Sequence, residues 1–209
     1  MEILATILTN NEEQANEQIY KLESVVEWGH LDVIDGVFSD MKTVKPEVLL
    51  GSNLKWEIHL MVEEPVIWIE RCLEAKAERI IGQIENMSEQ NEFVETVLKA
   101  DVEVGLAIDL NTDFGQIDEE VLPWINKVLV MGVKAGASGQ IFNEFVYEKV
   151  EKIMQIRKIR GYSFEIEVDG GVTMTVASKL KEMGVECAAM HTALWEGDFN
   201  GNWEMLKKL

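Results

Sequence analysis

The chain alternates short apolar runs with longer amphipathic stretches about eight times. Eight runs have strand length, and many are apolar on both faces, as in a parallel sheet that is covered all round: residues 3–8, 25–34, 56–61, 79–84, 102–108, 127–133, 164–168 and 186–191. Helical patterns lie between them at 11–23, 65–75, 88–100, 142–160, 173–183 and 200–209, and only 110–126 is poorly marked. This alternation predicts an α/β fold, a single-domain (β/α)8 TIM barrel over residues 1–209.

An open, doubly wound sheet is the main alternative to the barrel. A barrel predicts polar residues at the carboxyl ends of several different strands, whereas an open sheet concentrates them near one crevice. No composition break, linker or low-complexity segment suggests a second domain, and a length of 209 residues is typical of one barrel.

The net charge of −19 at pH 7 limits the possible partners. Such a chain repels phosphate backbones and anionic lipid, so we expect no nucleic-acid partner and no membrane partner. The two cysteines, Cys72 and Cys187, have no CxxC spacing and indicate buried thiols in a reducing compartment. The N-terminus shows no targeting pattern, and we expect a cytoplasmic protein.

All three histidines fall at or near the ends of predicted strands: His30, His59 and His191. Asp32 lies two residues after His30 and therefore shares its face of the strand. Asp169 follows another apolar strand, where a buried carboxylate is costly unless it is paired or bound to metal. Two imidazoles and two carboxylates suit Zn²⁺, Fe²⁺, Mn²⁺ or Co²⁺. The alternatives are hydrogen-bonded core histidines, and aspartates that cap the next helix.

Two loops carry weaker signals. Gly170 and Gly171 precede the helix predicted from Thr173, where backbone N–H groups could approach a phosphate. The small residues of 132–140 (GVKAGASGQ) suggest a mobile lid after the sixth strand, with a plain surface loop as the alternative.

Five segments together resemble the ribulose-phosphate 3-epimerase family across nearly the whole chain. They are TILT (6–9), HLDVIDGVF (30–38), IHLMVEEP (58–65), VLVMGVKAGASGQ (128–140) and EIEVDGG (165–171), in family order and at family spacing. The resemblance implies a (β/α)8 barrel with one divalent metal ion (Zn, Fe, Mn or Co), often assembled as a homo-oligomer.

The resemblance also implies a reaction. It implies that His30, Asp32, His59 and Asp169 are the metal ligands, and that Asp32 and Asp169 are the catalytic acid/base pair. These aspartates would invert C3 of a ketopentose phosphate, converting D-ribulose 5-phosphate to D-xylulose 5-phosphate, while the metal stabilises the enediolate. The residues implied to face the substrate are Thr6, Met61, Met131, Gly139, Gly170, Gly171, His191 and Thr192.

Several positions depart from the family pattern. A pocket methionine is Ile34, a histidine is Val37, the histidine at the end of strand 4 is Gln83, and the small turn after strand 8 is His191-Thr192. The lid differs as well. These changes keep two alternatives open: an epimerase or isomerase of another sugar phosphate or free ketose, and a non-catalytic barrel that serves as a binding protein.

Overall fold

The computed structural model describes residues 1–209 and contains a closed barrel of eight parallel strands. The strands are β1 (Glu2–Ile7), β2 (Trp28–Ile34), β3 (Lys55–Met61), β4 (Arg79–Gln83), β5 (Glu103–Ile108), β6 (Lys127–Met131), β7 (Glu165–Asp169) and β8 (Cys187–Met190). Each strand pairs with the next, and β8 pairs with β1 through Ile3–Ala188 and its neighbours. The barrel prediction is confirmed, and the open sheet is excluded.

The helices surround this barrel. They are α1 (Glu12–Leu22), α2 (Ile69–Glu74), α3 (Gln90–Lys99), α4 (Phe145–Arg160), α5 (Met174–Met183), α6 (Thr192–Trp195) and α7 (Phe199–Leu206). The predicted start signals hold, because Asn11 accepts a hydrogen bond from the Gln14 N–H and Thr173 accepts one from the Val176 N–H. Gly184 ends α5 with a φ of 94°, a conformation that favours glycine.

Two connections hold no α-helix, contrary to the expectation of a helix after every strand. The β2–β3 connection contains only the 3₁₀ turn Pro46–Leu49, and the β5–β6 connection contains only Phe114–Gln116. Pro123 prevents a regular helix late in the second connection. Its apolar residues are nevertheless buried: Ile117, Val121, Leu122 and Ile125.

Several element boundaries also differ from the prediction. Strand β2 begins at Trp28 rather than at 25, because the N–H groups of Val25 and Val26 both donate to the Leu22 carbonyl and extend the end of α1 as a turn. Strand β6 ends at Met131, and helix α4 begins at Phe145 rather than at 142. An additional short helix, α6, precedes the C-terminal one.

The two-residue alternation of the strands separates two environments. Leu31 and Val33 of β2, with Ile58 and Leu60 of β3, belong to the large apolar core between the barrel and the helices. The intervening residues of the same strands, among them His30, Asp32 and His59, are buried outside that core and contact one another between the neighbouring strands β2 and β3. Cys72 and Cys187 are both buried and unpaired. None of the helices combines the length and apolarity needed to cross a bilayer.

Candidate metal centre and substrate pocket

Four buried side chains converge inside the barrel. His30 and Asp32 come from β2, His59 from β3, and Asp169 from the end of β7, and their candidate ligand atoms lie within 4.8 Å of one another. Asp32 Oδ1 is 3.2 Å from His30 Nε2 and 3.1 Å from His59 Nδ1. Asp169 Oδ2 is 4.0 Å from His59 Nδ1. The structure therefore brings together the four residues that the sequence singled out.

The outer nitrogen of each imidazole contacts an oxygen that can only accept a hydrogen bond. His30 Nδ1 lies 2.7 Å from Glu57 Oε1, and His59 Nε2 lies 2.8 Å from Gln83 Oε1. A carboxylate or amide oxygen requires the hydrogen on that outer nitrogen. The inner nitrogen therefore donates to Asp32 when the ring is a cation, and offers a lone pair when a metal ion takes the place of that proton. Two lone pairs and two carboxylates in one buried space suit a shared cation, so this donor set fits a divalent metal ion.

The charges of the cluster separate the pKa values of the two aspartates. Burial acts to raise the pKa of Asp32, but hydrogen bonds with His30 and His59 outweigh it and hold that pKa well below its usual range. Burial raises the pKa of Asp169, and the nearby Asp32 charge raises it further. Two carboxylates whose pKa values are pushed apart are suited to opposite roles in proton transfer.

The same arrangement attracts positive charge. Burial alone would lower the pKa of His30, but hydrogen bonds with Asp32, Glu167 and Glu57 outweigh it and raise the pKa well above its usual value. Asp32 likewise outweighs the effect of burial on His59 and raises its pKa. The excess of carboxylates therefore favours a positive charge at this position, whether from protons or from a metal ion.

A cavity of about 400 Å³ opens directly above this cluster. Asp32 and Asp169 line its floor, whereas His30 and His59 lie beneath it. The other predicted residues that line it are Met61, Met131, Gly139, Gly170, Gly171, His191 and Thr192, and Ile34 lines it as well. Thr6 does not line it: its side chain is fully buried, and its Oγ1 has no hydrogen-bond partner.

The loop after β6 forms one wall of the cavity and is held in place by hydrogen bonds. The Ala135 N–H donates to Asp109 Oδ1 at 2.7 Å, and Ser39 Oγ donates to the Gly136 carbonyl at 2.8 Å. Gly136 has a φ of 87°, and a Cβ at this position would lie 2.6 Å from Ser39 Oγ. The predicted lid is thus docked against the loop that follows β2.

One end of the cavity, formed by the turns after β7 and β8, carries two further ionisable side chains. His191, whose pKa is lowered by burial, and Glu196 both line it, while no lysine or arginine does. The backbone of Gly170 and Gly171 lies at the same end, with φ values of 95° and 67° that favour glycine. An anionic substrate group at this end therefore depends on backbone N–H groups and on the His191 ring.

The sequence interpretation did not assign Glu57, Glu167 and Gln83. Glu57 lies two residues before His59 and Glu167 two residues before Asp169, so strand alternation already puts each on the face of a proposed ligand. In the sequence, Gln83 stands out only as a departure from the family pattern. The structure places it against His59.

Comparison with known proteins finds similar sequences along most of the chain. A sequence model described as the ribulose-phosphate 3 epimerase family matches residues 2–195. A ribulose-phosphate 3-epimerase from Treponema pallidum (strain Nichols) is 32% identical over 175 residues, covering 82% of this chain and 80% of that protein. The chloroplastic ribulose-5-phosphate-3-epimerase of Arabidopsis thaliana is 30% identical over 200 residues, covering 91% and 70%.

Similarity to solved structures supports the barrel alone. A 3-hexulose-6-phosphate synthase superposes with a TM-score of 0.70 at 14% identity, covering 100% of this chain and 99% of the other. The same synthase from Salmonella typhimurium gives 0.72 at 10% identity, covering 100% and 97%. From the family match along residues 2–195 and the relatives at 30–32% identity, the chain belongs to the ribulose-phosphate 3-epimerase family.

Proposed function

We propose that this protein is a metal-dependent epimerase that inverts C3 of a ketopentose phosphate, interconverting D-ribulose 5-phosphate and D-xylulose 5-phosphate. The observation that carries the proposal is the cluster of two histidines and two aspartates at the floor of the cavity. The names of the similar proteins support the same substrate class.

Inversion next to a carbonyl requires a base on one face of the carbon and an acid on the other. Asp32 and Asp169 both line the cavity floor and hold different pKa values, as this division of work requires. One carboxylate takes the C3 proton and the other returns a proton from the opposite face, so the proton count is unchanged after one turnover. Met61, Met131 and Ile34 give this floor an apolar wall that limits water at the reacting carbon.

His30, Asp32, His59 and Asp169 would hold the metal ion. When bound, a divalent cation supplies an electrophile that stabilises negative charge developing on the substrate oxygens. Zn²⁺, Mn²⁺, Fe²⁺ and Co²⁺ are all compatible with two imidazoles and two carboxylates. Glu57 and Gln83 fix the orientation of the two imidazoles and so prepare the site for the ion.

The test is a coupled turnover assay with D-ribulose 5-phosphate after the metal has been removed and each of the four ions has been restored. We expect turnover only after reloading, and we expect Asp169→Asn to abolish it. A matched control is Asp198→Asn, because Asp198 caps α7 outside the cavity. Loss of turnover in every reloaded sample, although one ion binds stoichiometrically, would reject this substrate.

The end of the cavity formed by the turns after β7 and β8 favours a second candidate, an epimerase of another sugar phosphate or of a free ketose. Glu196 repels a phosphate dianion, and the His191 ring occupies a turn where small residues leave more room. A panel of phosphorylated and free ketoses, ranked by kcat/KM, separates the two candidates. A preference for a free ketose by about tenfold or more would replace the first substrate with the second.

A further inference from the structure

Next to the proposed metal centre lies a group of buried charges, of which the proposed function uses only Glu57. Glu57, Glu167 and Lys127 are each fully buried, and Arg79 is only 7% exposed. Lys127 Nζ lies 2.7 Å from Glu167 Oε2 and 3.4 Å from Glu57 Oε2, and it also donates to Cys187 Sγ at 3.1 Å. Burial alone would lower the pKa of Lys127, but Glu167 and Glu57 outweigh it and raise that pKa, so the side chain is a cation.

Each glutamate contacts buried cations with its Oε2 and faces His30 with its Oε1. Glu167 Oε2 accepts a hydrogen bond from Lys127 Nζ at 2.7 Å, while Glu57 Oε2 accepts one from Arg79 at 2.7 Å and lies 3.4 Å from Lys127 Nζ. The Oε1 atoms lie 2.7 Å (Glu57) and 3.4 Å (Glu167) from His30 Nδ1. Glu167 Oε1 is buried without a hydrogen-bond partner, and its 3.4 Å approach to His30 Nδ1 is an ion-pair contact. The two carboxylates thus lie between Lys127 and Arg79 on one side and His30 on the other.

We propose that Lys127 is a positioning residue for the metal ligand His30. Lys127 binds Glu167 Oε2 and, together with Arg79, attracts Glu57 Oε2, which keeps both Oε1 atoms facing His30 Nδ1. This arrangement fixes the hydrogen on Nδ1 and directs the Nε2 lone pair into the site. The spacing of His30, Glu57 and Glu167 would also suit a metal ion. However, the ammonium of Lys127 already supplies the cation that these carboxylates need.

The inference rests on the proposed metal site. Its first test concerns the tautomers of the two imidazoles and needs no mutation. His30 carries its hydrogen on Nδ1, and His59 carries its hydrogen on Nε2, so the two site imidazoles are opposite tautomers. Long-range ¹H–¹⁵N NMR of the Zn²⁺-loaded, ¹⁵N-labelled protein reports both, since the chain has only three histidines. A hydrogen on Nε2 of His30 would overturn the inference.

Lys127→Met tests the role of the lysine directly. We expect Zn²⁺ affinity, measured by competition with a chromogenic chelator, to fall about 10- to 100-fold. We also expect the Nδ1–H signature of His30 to weaken. Lys149→Met is the matched control, because Lys149 donates only to the backbone carbonyls of Asp109 and Leu110 and should leave affinity unchanged.

A double variant covers the case in which Lys127→Met fails to fold. In Lys127→Met/Glu167→Gln one negative charge leaves with the lysine, while Arg79 still pairs with Glu57 at 2.7 Å. We expect this protein to fold but still to bind Zn²⁺ about tenfold or more weakly than wild type, because Lys127 no longer positions the side chain at 167. Wild-type affinity in the double variant would contradict the role of Lys127. Wild-type affinity and an unchanged His30 signal in folded Lys127→Met would refute the positioning role. Failure of the wild-type protein itself to bind Zn²⁺ would instead reject the metal proposal.

Discussion

Replacement of Gln83 by methionine should weaken metal binding far more than it weakens the fold. Gln83 Oε1 accepts the His59 Nε2 hydrogen at 2.8 Å, while the Nε2 of Gln83 is buried without a partner. Methionine has similar volume but offers no strong acceptor to His59. The His59 ring then loses the contact that keeps its Nδ1 lone pair facing the site.

The stability change is a sum of opposing effects. Loss of the hydrogen bond removes about 0.5–1.5 kcal/mol, and the unpartnered His59 N–H costs about 1–3 kcal/mol. Removal of the unpartnered Gln83 amide N–H offsets a similar amount. The net loss is about 1 kcal/mol, which lowers Tm by about 2–4 °C for a chain of this size.

The loss of metal affinity should be about 10- to 100-fold, because outer partners of ligand imidazoles contribute on that scale. Competition titration with Zn²⁺ measures this change, and differential scanning calorimetry of the metal-free protein measures Tm. Gln18→Met is the control, since Gln18 is a buried glutamine on α1 whose Oε1 also lacks a partner. A folded Gln83→Met protein with wild-type affinity would refute the role assigned to the His59–Gln83 contact.

Four further outcomes are expected. Asp32→Asn should lower kcat by about 10²- to 10⁴-fold while circular dichroism and Tm confirm a folded barrel, and near-normal turnover would remove Asp32 from the acid/base pair. His191→Gly should change KM for a phosphorylated substrate in steady-state kinetics, whereas an unchanged KM would place the ring away from the phosphate. Burial raises the pKa of both Cys72 and Cys187 to about 12, so iodoacetamide should not label them in the native protein at pH 8. Because the folded pKa values of the two thiols are raised, their contribution to the free energy of unfolding is complete below about pH 9 and declines as pH rises towards 12. Urea unfolding at pH 8, 10 and 11 would detect this decline.

The barrel and the ligand positions could be predicted because they depend on simple periodicities. The apolar strand runs gave the sheet, and the two-residue spacing of His30 and Asp32 put both on one face. His59 meets them through the pairing of β3 with β2, whereas Asp169 on β7 needed closure of the barrel, and the family resemblance supplied that step. The connection after β5 could not be predicted well, since it holds no α-helix and its buried residues pack through irregular turns around Pro123.

The outer contacts of the histidines were harder to predict. Glu57 and Glu167 are each two residues from a proposed ligand, but charged residues at strand positions are usually solvent-exposed. Both glutamates can be buried because Lys127 lies close to them and supplies a positive charge. In the sequence, Lys127 begins the sixth apolar run and has the pattern of a solvated strand end. Pairing among residues on β3, β6 and β7 depends on the three-dimensional closure of the sheet, which one sequence does not reveal.

The ion pair between Lys127 and Glu57 also bears on how the barrel folds. These residues belong to β6 and β3, and in an open sheet of the same strand order they would be about 14 Å apart. Their 3.4 Å contact exists only after β8 has joined β1. A half-closed sheet would leave Lys127 without one of its carboxylate partners, so the pair penalises partly assembled barrels and makes ring closure a cooperative step.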